Sequence, residues 1–204
     1  MSIILSKAGA AEFDVIYEDM KKQFPYVEIK AKNTFLEIAK TSSYDIWLAQ
    51  SHIKGKTNDI GYMLVWQDKE MNFIWLEYIA VSQKYHGKGY GSKMLKALKA
   101  KYLGARGCFL EVEKTSTLNK NSERRIRFYT EKGAYKLDFR YYFPMATKDL
   151  ELDLYFLPFK RDIKQIPNAD ILKSIINIYA VIHRDLPSAL KTLSKIRPLN
   201  FNRY

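Results

Sequence analysis

Near the start of the chain Phe13, Ile16, Tyr17 and Met20 fall at i, i+3, i+4 and i+7, a spacing that predicts a helix over 10–23 with one buried face. An apolar stretch over 1–6 ahead of it predicts a first strand. Phe24-Pro25 ends the helix, because the residue before a proline is pushed out of the α region. A second helical run over 29–40 carries Phe35, Leu36 and Ile38 and gives way to the polar Thr41-Ser42-Ser43. The period then changes. β-Branched and aromatic runs over 44–50 and 59–67 read as strands joined by a hairpin-like loop at 52–58. The run over 73–82 is almost continuously apolar, as burial on both faces requires, with Glu77 its one acidic member.

Helical spacing returns over 93–103, where Met94, Leu95, Leu98 and Tyr102 form the apolar face and Gly104 and Gly107 end the run. Residues 108–113 read as a strand, and strand, helix, strand in that order predicts a right-handed crossover between parallel neighbours. A polar, turn-rich stretch over 115–121 leads to a short helix over 124–131, with Asn121 or Ser122 as its cap and Gly133 as its stop. Two late strands follow, 135–143 and 150–159, on either side of a turn at Pro144. Beyond Lys160, Ile171, Leu172, Ile175, Ile176, Tyr179 and Ile182 lie at helical spacing, and Pro187 opens a further short helix through 196. The pattern predicts an α/β (α+β) domain over 1–160 and a C-terminal helical extension over 161–204, packed on that domain or on a partner such as a second copy.

Between the strand over 73–82 and the helix that follows lies His86-Gly87-Lys88-Gly89-Tyr90-Gly91-Ser92. Glycines at alternate positions permit a tight turn and let bare N–H groups approach a ligand. The helix start behind them carries unpartnered N–H groups and the positive end of the peptide dipoles, so an anion such as a pyrophosphate is the natural guest. Lys88 adds a formal charge. The stretch is not a Walker loop, which needs a closing Lys-Ser/Thr pair, nor the Gly-x-Gly-x-x-Gly of a dinucleotide fold.

Composition narrows the class. With 204 residues, 47% of them hydrophobic, the chain has enough apolar material for a real core. No apolar run approaches the roughly 20 residues that cross a bilayer, so no membrane partner is expected. A single cysteine, Cys108, cannot build a disulfide framework, and without a secretory-type leader the expected location is cytoplasmic. The net charge of +12 attracts anions, yet no dense basic block singles out nucleic acid as the partner. His52, His86 and His183 are too scattered for a metal site, and no metal is expected.

Ile79-Ala80-Val81-Ser82, a short linker, the glycine stretch and an amphipathic helix together resemble the acyl-CoA-binding motif of the GNAT superfamily of N-acetyltransferases, Arg/Gln-x-x-Gly-x-Gly/Ala. Gly89 and Gly91 fall on its glycines and His86 stands in the Arg/Gln place. Phe109-Leu110-Glu111-Val112-Glu113, then Arg125-Ile126-Arg127-Phe128-Tyr129 and Gly133-Ala134, is similar to the second half of that core, with Ala134 where an aromatic is usual. Phe24-Pro25-Tyr26-Val27-Glu28 is similar to a Phe-Pro-x-x-Glu segment of some bacterial members. The resemblance implies the GNAT acyl-CoA N-acyltransferase fold, a mixed central sheet of about six to seven strands flanked by helices, and transfer of an acetyl group from acetyl-CoA to a primary amine.

In that setting backbone N–H groups of Gly87 to Ser92 would bind the pyrophosphate, and Ile79 and Val81 would offer strand-edge backbone to the pantetheine amides. Tyr129 matches the family tyrosine that often protonates the departing sulfur; otherwise it is an amphipathic residue holding helix to sheet. Glu77 is the candidate general base, since a carboxylate in an apolar strand is costly unless paired or functional; a salt bridge is the other reading, and Glu111 and Glu113 are further candidates. Arg124, Arg125 and Arg127 meet either the CoA 3′-phosphate or water. The alternative to an enzyme is a noncatalytic acyl-CoA-binding or regulatory module contacting a protein or nucleic acid.

Overall fold

A computed structural model describes residues 2–115, 120–145, 149–184, 186 and 188–199. The chain divides into two compact units, Met1–Gln67 with Leu76–Gly104, and Asp68–Trp75 with Ala105–Tyr204.

The first unit holds strands β1 (Ile4–Lys7), β2 (Tyr44–Ile53), β3 (Lys56–Asp68) and most of β4 (Phe73–Val81), in the order β1-β2-β3-β4. Its helices are α1 (Ala10–Gln23), α2 (Lys32–Ala39) and α3 (Tyr90–Lys101). The helix over 10–23 is where the spacing puts it, with Phe13, Ile16 and Met20 buried. Phe13, Tyr17, Phe35 and Tyr78 form a chain of ring contacts that ties α1 and α2 to β4. The expected loop over 52–58 is instead strand almost throughout: β2 and β3 run into a two-residue turn at Lys54 and Gly55, φ 51° and 76°. Two successive positive φ values match the right-handed twist of a hairpin, and glycine takes the second without cost. Helix α2 starts at Lys32 rather than 29, because Tyr26–Glu28 forms a separate 3₁₀ turn after Pro25.

β3 passes so close to β4 at Gly61 that an added Cβ would stand 2.0 Å from the Ala80 carbonyl oxygen and 3.0 Å from Val81 Cα. Backbone cannot yield as a side chain does. Gly61→Ala is therefore expected to cost about 3 kcal/mol or more, at the upper end for overpacking. Urea unfolding checks this, and an unchanged midpoint would mean that the two strands are farther apart.

The second unit contains β5 (Gly107–Glu113), α4 (Lys120–Glu131), β6 (Tyr135–Lys136), β7 (Phe139–Phe143), β8 (Leu150–Pro158), α5 (Asn168–Val181), α6 (Ala189–Leu193) and β9 (Arg197–Pro198). Its strands run β5-β8-β7-β9, with β6 also on β8, and these pairings are antiparallel. Trp75 stacks on Phe109 at 4.6 Å and Phe73 meets Phe109 and Phe156 edge-on, so the start of β4 is core material here. Trp75 Nε1 donates to Ser174 Oγ at 2.9 Å and the Tyr179 hydroxyl to the Tyr142 carbonyl, anchoring α5.

Three expectations change in this unit. Helix α4 begins at Lys120, so Asn121 and Ser122 lie inside it and neither caps it. The strand expected over 135–143 is two strands: Tyr135 faces Phe156 and Tyr141 faces Leu152, six residues on one side against four on the other, a bulge that no alternation of side chains announces. The short last helix is confined to Ala189–Leu193, and Pro187, expected to open it, lies outside the described residues.

Candidate active site

The end of β4, a 3₁₀ turn at Gln83–Tyr85 and the start of α3 place the glycine loop. Gly87 and Gly89 sit at φ 73° and 74°, and Gly89 is the N-cap of α3. That cap sets the helix start at Tyr90 rather than Lys93, so Tyr90, Gly91 and Ser92 supply the first-turn N–H groups, which have no partner within a helix. A Cβ added at Gly87 or Gly89 would meet nothing within 4 Å, so the face of the turn is open. From behind, the Tyr85 hydroxyl donates to Asn58 Oδ1 at 3.0 Å and its ring packs edge-on against buried Tyr90 at 5.5 Å. Lys88 Nζ donates to the Lys84 carbonyl at 2.9 Å and lies 5.7 Å from the Tyr85 ring centroid, keeping a positive charge on the loop. The arrangement is an open, cationic cradle of backbone donors, suited to a phosphate-type anion.

β4 changes character along its length. Phe73 to Leu76 are buried, whereas beyond them Glu77, Ile79 and Val81 are half-buried and Tyr78 and Ala80 buried. Alternation begins where the sequence is still almost wholly apolar, and it puts Glu77, Ile79 and Val81 on one face. The Val81 carbonyl already has partners: His86 Nε2 at 2.7 Å and Gln23 Nε2 at 3.4 Å. A carbonyl only accepts, so His86 Nε2 is the donor and carries the proton. At the motif position expected to assist phosphate, the exposed His86 ring instead folds back and fastens the loop to the strand it leaves.

Glu77 is locked. Lys30 Nζ lies 2.6 Å from Oε1, the Tyr44 hydroxyl donates to Oε2, and the side chains of Lys30 and Glu77 are 6% and 4% exposed. Burial, followed by the charge of Glu77 and its hydrogen bond, pushes the Tyr44 phenol well above its ordinary value. Of the two readings of an acid in an apolar strand, the ion pair is present in the structure.

Tyr129 belongs to the second unit, buried on α4 with its ring 5.2 Å from Phe128. Burial raises its phenol pKa to about 12, Arg125 pulling it down and Cys108 pushing it up. Glu111 accepts from the Tyr141 hydroxyl and lies 4.0 Å from His183 Nε2, and Glu113 lies 3.9 Å from Arg125. Cys108 is fully buried in β5. Among the described residues no cluster of three or more His, Cys, Asp or Glu could hold a metal.

Residues 42–133, which contain the open loop, β4, Glu77 and Tyr129, match the family model described as the acetyltransferase (GNAT) domain. These residues, somewhat under half of the chain, carry the GNAT domain match. The chain's likeness to a GNAT-family structure from Bacteroides thetaiotaomicron has a TM-score of 0.71 at 18% identity, covering 88% of this chain and 97% of that one. Arabidopsis thaliana NAA60 in complex with acetyl-CoA gives 0.58 at 13%, covering 77% and 99%. At such identities the likeness speaks for the fold, the mixed GNAT sheet flanked by helices. "Putative acetyltransferase YjbC" of Bacillus subtilis is 29% identical over 113 residues, 55% of this chain. The chain spans about half, 53%, of that relative's length.

What the motif misses is the set of partners around the site. Lys30 and Glu77 are 47 residues apart, Gln23 and Val81 are 58 apart, and neither Lys30 nor Gln23 breaks a local pattern that would single it out.

Proposed function

We propose that this chain is a GNAT N-acetyltransferase that moves an acetyl group from acetyl-CoA to a primary amine by direct attack in a ternary complex. The open loop with bare amides at the end of β4 carries the reading. Amides of Gly87 to Ser92, with Lys88, hold the pyrophosphate, and the backbone of Ile79 and Val81 receives the pantetheine arm. The neutral amine attacks the thioester carbonyl carbon and the C–S bond breaks. One amine proton is lost to a base, and the thiolate takes a proton to leave as CoA thiol. The Val81 N–H faces the charge that builds on the carbonyl oxygen. Tyr129 is assigned as donor to the sulfur and Glu77 as base, the latter against the restraint of its ion pair.

That restraint favours one other reading, a module that binds acyl-CoA without turning it over. Calorimetry with acetyl-CoA followed by a free-thiol assay over a panel of primary amines separates the two. Heat of binding together with amine-dependent thiol release is expected. Binding without release across the panel points to the module, and no binding at millimolar acetyl-CoA removes both readings.

A further inference from the structure

In the first unit the amine of Lys30 stands where the proposed reaction needs its acceptor. A base takes a proton from an amine only within hydrogen-bond reach of it, and the place within reach of Glu77 is filled by Lys30 Nζ, 2.6 Å from Oε1. The Tyr44 hydroxyl holds Oε2. An amine arriving from outside therefore meets a carboxylate whose two oxygens are both engaged by groups of this chain.

Lys30 is held in that place from several sides. Its carbonyl accepts from the Tyr17 hydroxyl at 3.1 Å, and its Nζ lies 5.7 Å from the centroid of the Phe35 ring. Tyr78, whose hydroxyl donates to the Glu28 carbonyl, fixes the turn just before it. An amine so fixed reacts with a neighbour as though at very high concentration. Ile79 follows Glu77 on the same face of β4, about 7 Å along the strand, and the acyl arm is proposed to lie there.

We infer that Lys30 is the chain's own first acceptor: bound acetyl-CoA acetylates it once, and the modified side chain then leaves Glu77 to work on an external amine. The inference rests on the transfer reaction proposed above, with Glu77 as its base. In the step, the Lys30 ammonium passes a proton to Glu77, Nζ forms a bond to the thioester carbonyl carbon, and the C–S bond breaks. The nitrogen keeps one of its three protons. Of the other two, one goes through Glu77 to water and one to the thiolate, which departs as CoA thiol. The acetylated side chain is uncharged and retains a single N–H, so the ion pair is gone and Oε1 can receive a second amine. Unmodified Lys30 thus restrains the carboxylate that its acetylation releases.

The test incubates the full chain with acetyl-CoA and no added amine, and maps acetylated lysines by mass spectrometry over time. Uncatalysed acetylation follows exposure, so a lysine whose side chain is 6% exposed should come last. Lys30 is instead expected to take up one acetyl group per chain, about tenfold or more faster than exposed Lys22 and Lys96, with release of one CoA thiol. Unfolding in urea removes the preference, and so does Glu77→Gln. Lys30→Arg, which keeps a cation on Glu77, takes no acetyl there, whereas Lys22→Arg leaves uptake at Lys30 as it was. After the same pre-treatment, transfer to an added primary amine starts several-fold faster and without a lag. Transfer to that amine with Lys30 unmodified, or modified no faster than Lys22 and Lys96, would overturn the inference and leave the proposed reaction standing. Acetylation of Lys30 with no gain in rate would overturn the release of Glu77. No transfer to any amine removes the reaction and the inference together.

Discussion

Tyr129→Phe is expected to lower kcat by about 100-fold, the lower end of the range for a positioned proton donor, with acetyl-CoA affinity and unfolding midpoint little changed. The phenyl ring keeps the packing on α4 and loses only the hydroxyl that would donate the proton. Burial holds the phenol in its acid form, with a pKa of about 12 against an ordinary 10.0. Catalysis by this acid should therefore persist through the neutral and mildly alkaline range. The same shift has a stability sign. The folded pKa lies above the unfolded one, so the stability tied to this group is intact below about pH 10 and is lost as pH rises through about 12. Steady-state kinetics with saturating acetyl-CoA checks the rate, and single-turnover measurement shows whether the loss lies in chemistry. Unchanged turnover in Tyr129→Phe would leave the residue only its packing.

The glycine loop and the apolar run before it were readable because both are local devices. Alternate glycines are needed where Gly87 and Gly89 take positive φ, and the helix behind them starts where the last of these turns ends. Helix α1 was readable from four apolar positions on one stripe. What stayed hidden depends on pairing at a distance. The bulge between β6 and β7 is set by how β8 is met, and β9 exists only because Arg197 and Pro198 reach β7. Sequence shows Glu77 as an oddity in an apolar strand but cannot show which of its two explanations holds, since Lys30 enters from a loop 47 residues earlier.

The same pair supports a second large effect. Lys30→Met should destabilise the fold by about 3–5 kcal/mol, because among the described residues it leaves the buried Glu77 carboxylate only the Tyr44 hydroxyl. For a chain of this size that is a drop of roughly 6–20 °C in Tm, at about 2–4 °C for each kcal/mol. If the pair is purely structural, the double variant Lys30→Met/Glu77→Leu recovers most of the loss, since a well-packed apolar pair often replaces a buried ion pair without penalty. It should also keep its turnover. If Glu77 is the base, that double variant folds as well but loses turnover, and Glu77→Gln alone shifts the pH profile of kcat/KM. Stability and rate thus answer separate questions at one residue: urea unfolding of the three variants measures the pair, and the rates decide whether its carboxylate also takes the proton. A Lys30→Met protein as stable as the parent would mean that the carboxylate is better solvated than its 4% exposure allows.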